Sequence, residues 1–186
     1  MKNKVTYIIF FFLLCLQHVH AFHEHYYFRN LSVEDGLAQT TVNAILQDKK
    51  GFMWFGTKDG LSRYDGLSFT NYKRNINDSC SLGNNFVTCL YEDMKGHIGI
   101  GTDAGLYIYY PEKEMFLPFS RLSREEAKVE RTVSAISADK NGRIWIAVET
   151  QGVFCYDPTS DSLRNYKLEQ FSANVESIAF DNSNTM

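Results

Sequence analysis

Three aspartates invite a metal. Asp48, Asp93 and Asp139 recur 45 and 46 residues apart, and each precedes a glycine by three residues: Gly51, Gly96 and Gly142. A calcium loop alternates acidic ligands along the chain. Lys49 and Lys50 stand in the middle of the first segment instead, so these aspartates are expected to shape turns and no metal is expected. Glu125 and Glu126 form a carboxylate pair, but glycoside chemistry needs two acids facing each other across the bond. Both lie in Ser123-Arg124-Glu125-Glu126, a capping-box pattern suited to a short helix or a loop. His23, His25 and His97 have no partner at ligand or catalytic spacing. Cys80, Cys89 and Cys155 lack zinc-site spacing, and the last two sit in apolar runs, as buried thiols do. No catalytic residue and no cofactor is expected. What remains is a polar set: Gln39, Thr40, Lys58, Asp59, Asn84, Asn85, Asp103, Arg131, Glu149 and Gln151. Amides and charges beside aromatic rings suit a polyhydroxylated sugar, which takes several directional hydrogen bonds and stacks a flat face on a ring. The same residue types also favour turns for conformational reasons alone.

The elements that would position these residues come from an internal repeat. Asn43–Tyr72, Thr88–Phe119 and Ser134–Tyr166 align with one another. A second glycine recurs as Gly60, Gly105 and Gly152, each four residues before Tyr64, Tyr109 and Tyr156. Trp54 and Trp145 recur in register, which favours packing over a sugar platform. Each unit reads as four short strands; in the first these are 42–47, 52–57, 61–64 and 68–72, separated by Gly- and Asp-bearing turns. Four strands in a period near 45 is the spacing of β-propeller blades. The expected class is all-β, with four-stranded antiparallel blades. The divisions are a lead-in strand over 22–41, blade 1 over 42–72, connection and blade 2 over 73–119, connection and blade 3 over 120–166, and the start of a fourth blade over 167–186. Three blades and a stub fall short of the 4 to 8 that close a ring, so the ring is expected to be incomplete and the chain a fragment. In this arrangement the Asp-x-x-Gly turns lie on one face. The polar set lies on the other, where propeller ligands are expected.

Composition narrows the function. The 186 residues carry a net charge of −3, which leaves no excess of Lys and Arg for nucleic-acid phosphates. Lys2 and Lys4, an apolar run from Val5 to Leu16, and Val19-His20-Ala21 make the three-part pattern of a signal peptide over 1–21. The apolar run is short for a spanning helix, and Leu14 before Cys15 is unlike a lipoprotein site.

The pattern Val42, Ile45, Asp48, Gly51, Trp54, Gly56, Thr57, Gly60, Leu61, Tyr64 and Asp65 resembles the two-component regulator propeller repeat. The lead-in Phe28–Ser32 and Asp35–Leu37 is similar to that family's opening. Two units depart from it: Gly99 stands at the tryptophan position of the second, and Ala147-Val148 replaces Gly-Thr in the third, with one extra residue before Gly152. The resemblance implies the periplasmic sensor part of a hybrid two-component histidine kinase, anchored in the inner membrane. It also implies signal transduction by phosphorelay, a homodimeric parent, and an oligosaccharide ligand derived from a glycan. The kinase itself is absent from this chain. An exported propeller enzyme, such as a polysaccharide or antibiotic lyase, and a protein–protein scaffold are the alternatives.

Overall fold

The computed structural model describes residues 27–121, 129–166 and 175–181. The chain divides into two units, residues 1–30 and 31–186. Of the first, only 27–30 are described, and they hold no regular structure. The expected leader, His23, His25 and the capping box expected at Ser123–Glu126 lie outside the described residues. Among the described residues, no helix is long and apolar enough to cross a membrane.

The second unit contains three four-stranded sheets, each an antiparallel meander in sequence order. The first comprises β1 (Val42–Gln47), β2 (Met53–Thr57), β3 (Gly60–Tyr64) and β4 (Phe69–Tyr72). The second comprises β5 (Val87–Glu92), β6 (Ile98–Thr102), β7 (Gly105–Tyr110) and β8 (Met115–Pro118). The third comprises β9 (Val133–Ala138), β10 (Ile144–Val148), β11 (Gly152–Asp157) and β12 (Ser162–Tyr166). The sheets are open, as expected for blades of an incomplete ring. Residues 31–41 hold a single 3-10 turn, Val33–Asp35, closed by a Ser32/Asp35 capping box. Among the described residues they pair with no strand. They lie along blade 1 instead, where Ala38 N–H donates to Ser62 Oγ and Asn71 Nδ2 donates to the Gly36 carbonyl.

The repeated aspartates are turn caps. Asp48 Oδ1 accepts from the Lys50 and Phe52 amides, and Oδ2 accepts the Trp54 indole N–H at 2.8 Å. Asp139 repeats this with the Asn141 and Arg143 amides and the Trp145 indole at 3.1 Å. In the second unit Gly99 supplies no indole, and His97 Nδ1 bonds Asp93 Oδ2 at 2.9 Å in its place. On the opposite face Thr57 Oγ1 and Thr102 Oγ1 each donate to the carbonyl of the turn glycine, Gly60 or Gly105. Val148 has no hydroxyl to do this. The extra residue is absorbed at Thr150, which sits at φ 61, a left-handed conformation.

A β-bulge recurs at the same place in each blade. The β1–β2 register slips at Asn43, the β5–β6 register at Thr88 and the β10–β9 register at Ser134. A bulged residue is re-aimed out of its own ladder. Asn43 Nδ2 donates to Val87 O and Thr88 Oγ1 to Val133 O, each in the next blade, and Ser134 Oγ donates to Val175 O in the segment beyond blade 3. The first strands of successive blades are thereby linked side by side.

Apolar side chains fill the seams between blades. Trp54, Leu61, Leu82, Val87, Ile98, Ile100, Tyr109 and Phe116 form the first core. Trp54 stacks on Tyr72 at 5.9 Å and meets Tyr109 edge-on at 5.4 Å. The second core gathers Leu106, Phe119, Val133, Ile146, Phe154 and neighbours between blades 2 and 3. Beyond blade 3, Val175, Ile178 and Phe180 cover Trp145, Val153 and Cys155, so 175–181 begins a fourth layer without forming a paired strand. Burial pushes the Cys89 thiol up to about 11, as expected for a thiol that packs as a small hydrophobe.

Candidate ligand-binding face

The candidate polar residues fall into repeat-equivalent rows on the face of the Thr-x-x-Gly turns. The rows are aligned by one backbone bond per blade: Lys58 N–H to Thr41 O, Asp103 N–H to Phe86 O and Glu149 N–H to Thr132 O, at 3.2, 3.2 and 2.9 Å. Lys58, Asp103 and Glu149 therefore occupy the same position in their three blades. So do Gln39, Asn84 and Glu130 two residues before the bonded carbonyl, and Thr40, Asn85 and Arg131 one residue before it. Sequence reasoning missed Glu130; its place two residues ahead of Thr132 was the available signal.

Several candidates are committed to the fold. Asn85 Oδ1 accepts from the Arg74 amide at 2.7 Å, its Nδ2 donates to Asp59 Oδ1 at 3.0 Å, and its carbonyl accepts from Gly60 N–H. Asp59 also receives the Lys73 ammonium, and that hydrogen bond holds its carboxyl below the ordinary carboxylate range. Lys73 and Arg74, in the β4–β5 connection, were not among the candidates. Nothing local in the sequence marks them, because their partners arrive from other turns. Gln39 Oε1 and Asn84 Oδ1 accept from the Thr41 and Phe86 amides, which turns the chain into β1 and β5. Gln151 N–H closes the third turn on Val148 O.

The side chains of Lys58, Asp103 and Arg131 are exposed, and none makes a hydrogen bond or ion pair with another described residue. Phe86 stands half-buried beside Asn84 and Asn85. The face thus offers the Lys58 ammonium, the Arg131 guanidinium, the Asp103 and Glu130 carboxylates and an aromatic edge. Such a set can hydrogen-bond and orient a polar ligand. Among the described residues, no group of three or more His, Cys, Asp or Glu could hold a metal ion.

Comparison with known proteins bears on the whole arrangement. Residues 36–59 match the family profile described as "Two component regulator propeller". Histidine kinase P4 of Formosa agariphila is 35% identical over 79 residues, which span 42% of this chain and 6% of that protein. Among solved structures, the extracellular domain assigned to the hybrid two component system BT3049 of B. thetaiotaomicron is similar, with a TM-score of 0.67 and 26% identity over 76% of this chain and 20% of that one. The virginiamycin B lyase of Staphylococcus aureus shares the fold alone, at 16% identity and a TM-score of 0.62 over 84% of this chain and 50% of that one. The chain thus spans a small part of the sensor proteins it matches. Residues 36–59 are similar to the repeat of the two-component regulator propeller family, and the three units fold into blades like those of the BT3049 extracellular domain.

Proposed function

We propose that this chain is part of the periplasmic ligand-sensing propeller of a hybrid two-component sensor kinase. The observation that supports this most directly is the similarity to a histidine kinase, joined to blades like those of an extracellular sensor domain. The leader pattern over 1–21 fits export, with the full protein held in the inner membrane. The ligand class is a glycan-derived oligosaccharide, held on the face that presents Lys58, Asp103 and Arg131, with Phe86 as its ring contact. This chain has no catalytic part in the reading, and phosphoryl transfer belongs to the rest of the kinase. A ligand moves an equilibrium only by preferring one state. Sugar binding would therefore favour one pairing of two propeller chains over another.

The test uses the full-length protein in membranes and a panel of oligosaccharides, with autophosphorylation and the thermal midpoint as readouts. One sugar is expected to raise the midpoint and change phosphorylation together. Lys58→Ala and Arg131→Ala should weaken both responses without lowering the midpoint of the unliganded protein. A full-length protein with no phosphotransfer activity would overturn the sensor reading. Intact phosphotransfer with no response to any sugar would overturn only the ligand class.

A further inference from the structure

A cavity of about 80 Å³ opens at the seam of blades 1 and 2, on the Asp-x-x-Gly side, away from the candidate face. Arg63 lines it together with Lys50, Asp48, Trp54, Glu92 and Tyr109. Arg63 breaks the repeat. By register it opposes Trp54, as Ile108 opposes Gly99 and Cys155 opposes Trp145. The other two blades therefore place an apolar residue where the first places a guanidinium. A long charged side chain at a core position costs desolvation unless something is gained.

No carboxylate among the described residues supplies that gain. Asp48 accepts the Lys50 and Phe52 amides and the Trp54 indole but, unlike Asp139 with Arg143, makes no ion pair with an arginine. Glu92 turns both oxygens to the Lys49 amide, at 3.2 and 3.0 Å. Arg63 and the Lys50 ammonium have no ion-pair partner among the described residues. Arg143 differs: it covers Trp145 in the third blade but is paired with Asp139. Arg63 rests on aromatic faces alone, with its Cζ 4.9 Å from the Phe52 centroid, 5.8 Å from Trp54 and 6.0 Å from Tyr72. This shelf fixes the guanidinium plane and leaves its N–H donors for an acceptor that enters from outside. A planar fork of donors fits a carboxylate with two parallel bonds, and Lys50 adds a second positive charge at the same opening.

We infer that this seam pocket binds a small organic carboxylate, with Arg63 as the bidentate anchor and Lys50 as a second cation. It is a site separate from the proposed oligosaccharide face and does not depend on it. The carboxylate is either free or borne by a sugar acid, and the same chemistry recognises both.

The test is fluorine NMR of the full-length protein labelled with fluorotryptophan, with the Trp54 resonance assigned by its loss in Trp54→Phe. Sodium acetate and sodium D-glucuronate are titrated against sodium chloride and D-glucose at matched ionic strength. A saturable shift of the Trp54 signal is expected with a carboxylate and not with either control. Tighter binding of acetate assigns a free carboxylate, and tighter binding of glucuronate assigns a sugar acid. Arg63→Met should weaken binding about tenfold to a hundredfold, the effect of losing hydrogen bonds to a charged group. Arg63→Lys keeps a charge but not the fork, so it guards against a Met variant that fails to fold, and it should weaken binding several-fold. No saturable shift with either carboxylate overturns the inference. So does unchanged affinity in a folded Arg63→Met, which would leave the arginine as aromatic packing only.

Discussion

Strand β6 holds two glycines for opposite reasons, and an alanine at each should move stability in opposite directions. A Cβ on Gly101 would lie 2.3 Å from Cys89 Sγ and 3.0 Å from Val133 Cγ1 of the next blade. Contacts that short force the neighbours to move, and overpacking of this kind costs roughly 1–3 kcal/mol. Reduced freedom of the unfolded chain returns about 0.4–1 kcal/mol, so Gly101→Ala should lose about 1–2 kcal/mol. A Cβ on Gly99 meets nothing closer than Tyr91 O at 3.6 Å and Ile136 Cδ1 at 3.8 Å, which is ordinary contact. Gly99→Ala should therefore gain about 0.4–1 kcal/mol. The third blade shows how Gly101→Ala could be relieved. There Ala147 takes the position of Gly101 and is paired with Ala135, the counterpart of Cys89. Cys89→Ala combined with Gly101→Ala should recover about 1 kcal/mol or more relative to the sum of the single changes, the size of coupling seen between touching side chains. Urea unfolding of the parent and the four variants (Gly99→Ala, Gly101→Ala, Cys89→Ala and the double change) in the full-length background, followed by tryptophan fluorescence, measures all three quantities. A Gly101→Ala protein as stable as the parent would refute rigid seam packing. Strict additivity with Cys89→Ala would refute the assignment of the clash to that thiol.

Two further outcomes follow from the caps and the blade links. Thr88→Val should cost about 1 kcal/mol in urea unfolding, because Thr88 Oγ1 donates to Val133 O at 2.5 Å and valine leaves that carbonyl only the weak Cys89 thiol donor at 3.5 Å; no loss would show that the bulge residues do not tie blades together. For Asp139, burial alone would raise the carboxyl pKa, but the Trp145 and Arg143 donors outweigh it and leave the value lowered. A lowered folded pKa means the contribution is complete above the unfolded value near ~4 and is lost as pH falls through the folded one. Asp139→Asn should flatten the acid side of the stability profile over that window, and an unchanged profile would reject the cap as its cause.

Strand positions and turn faces were legible in the sequence because they are local. Alternating apolar residues bounded by Asp, Gly and a second Gly set the four strands of the first unit to within a residue or so. Asp48 was readable as a turn residue, since two of its three bonds go to amides two and four residues ahead. The bulges were not legible, because the choice of Asn43, Thr88 and Ser134 depends on a carbonyl about 40 residues further on. The same distance hid the use of Asn85 and Asp59 as braces and the replacement of an indole by His97 in the cap of Asp93. Arg63 passed unremarked in the first unit. Its oddity shows only when register sets it against Ile108 and Cys155.

The distribution of these bonds explains where the molecule can vary. On one face every repeated aspartate spends its oxygens on its own turn, so that face has little chemistry to give except where Arg63 intrudes. Along the inner edge the bulged residues tie each blade to the next through backbone carbonyls, which impose no side-chain identity on the partner. Blade position is therefore fixed without help from the side chains of Lys58 and Asp103. Lys58, Asp103 and Glu149 occupy one structural position with three different side chains, and each keeps the same backbone bond. A position held by its amide is free to change its side chain without loss of the fold. That separation of support from side-chain choice is what a binding face requires, and it is the structural reason to look for the ligand among those turns.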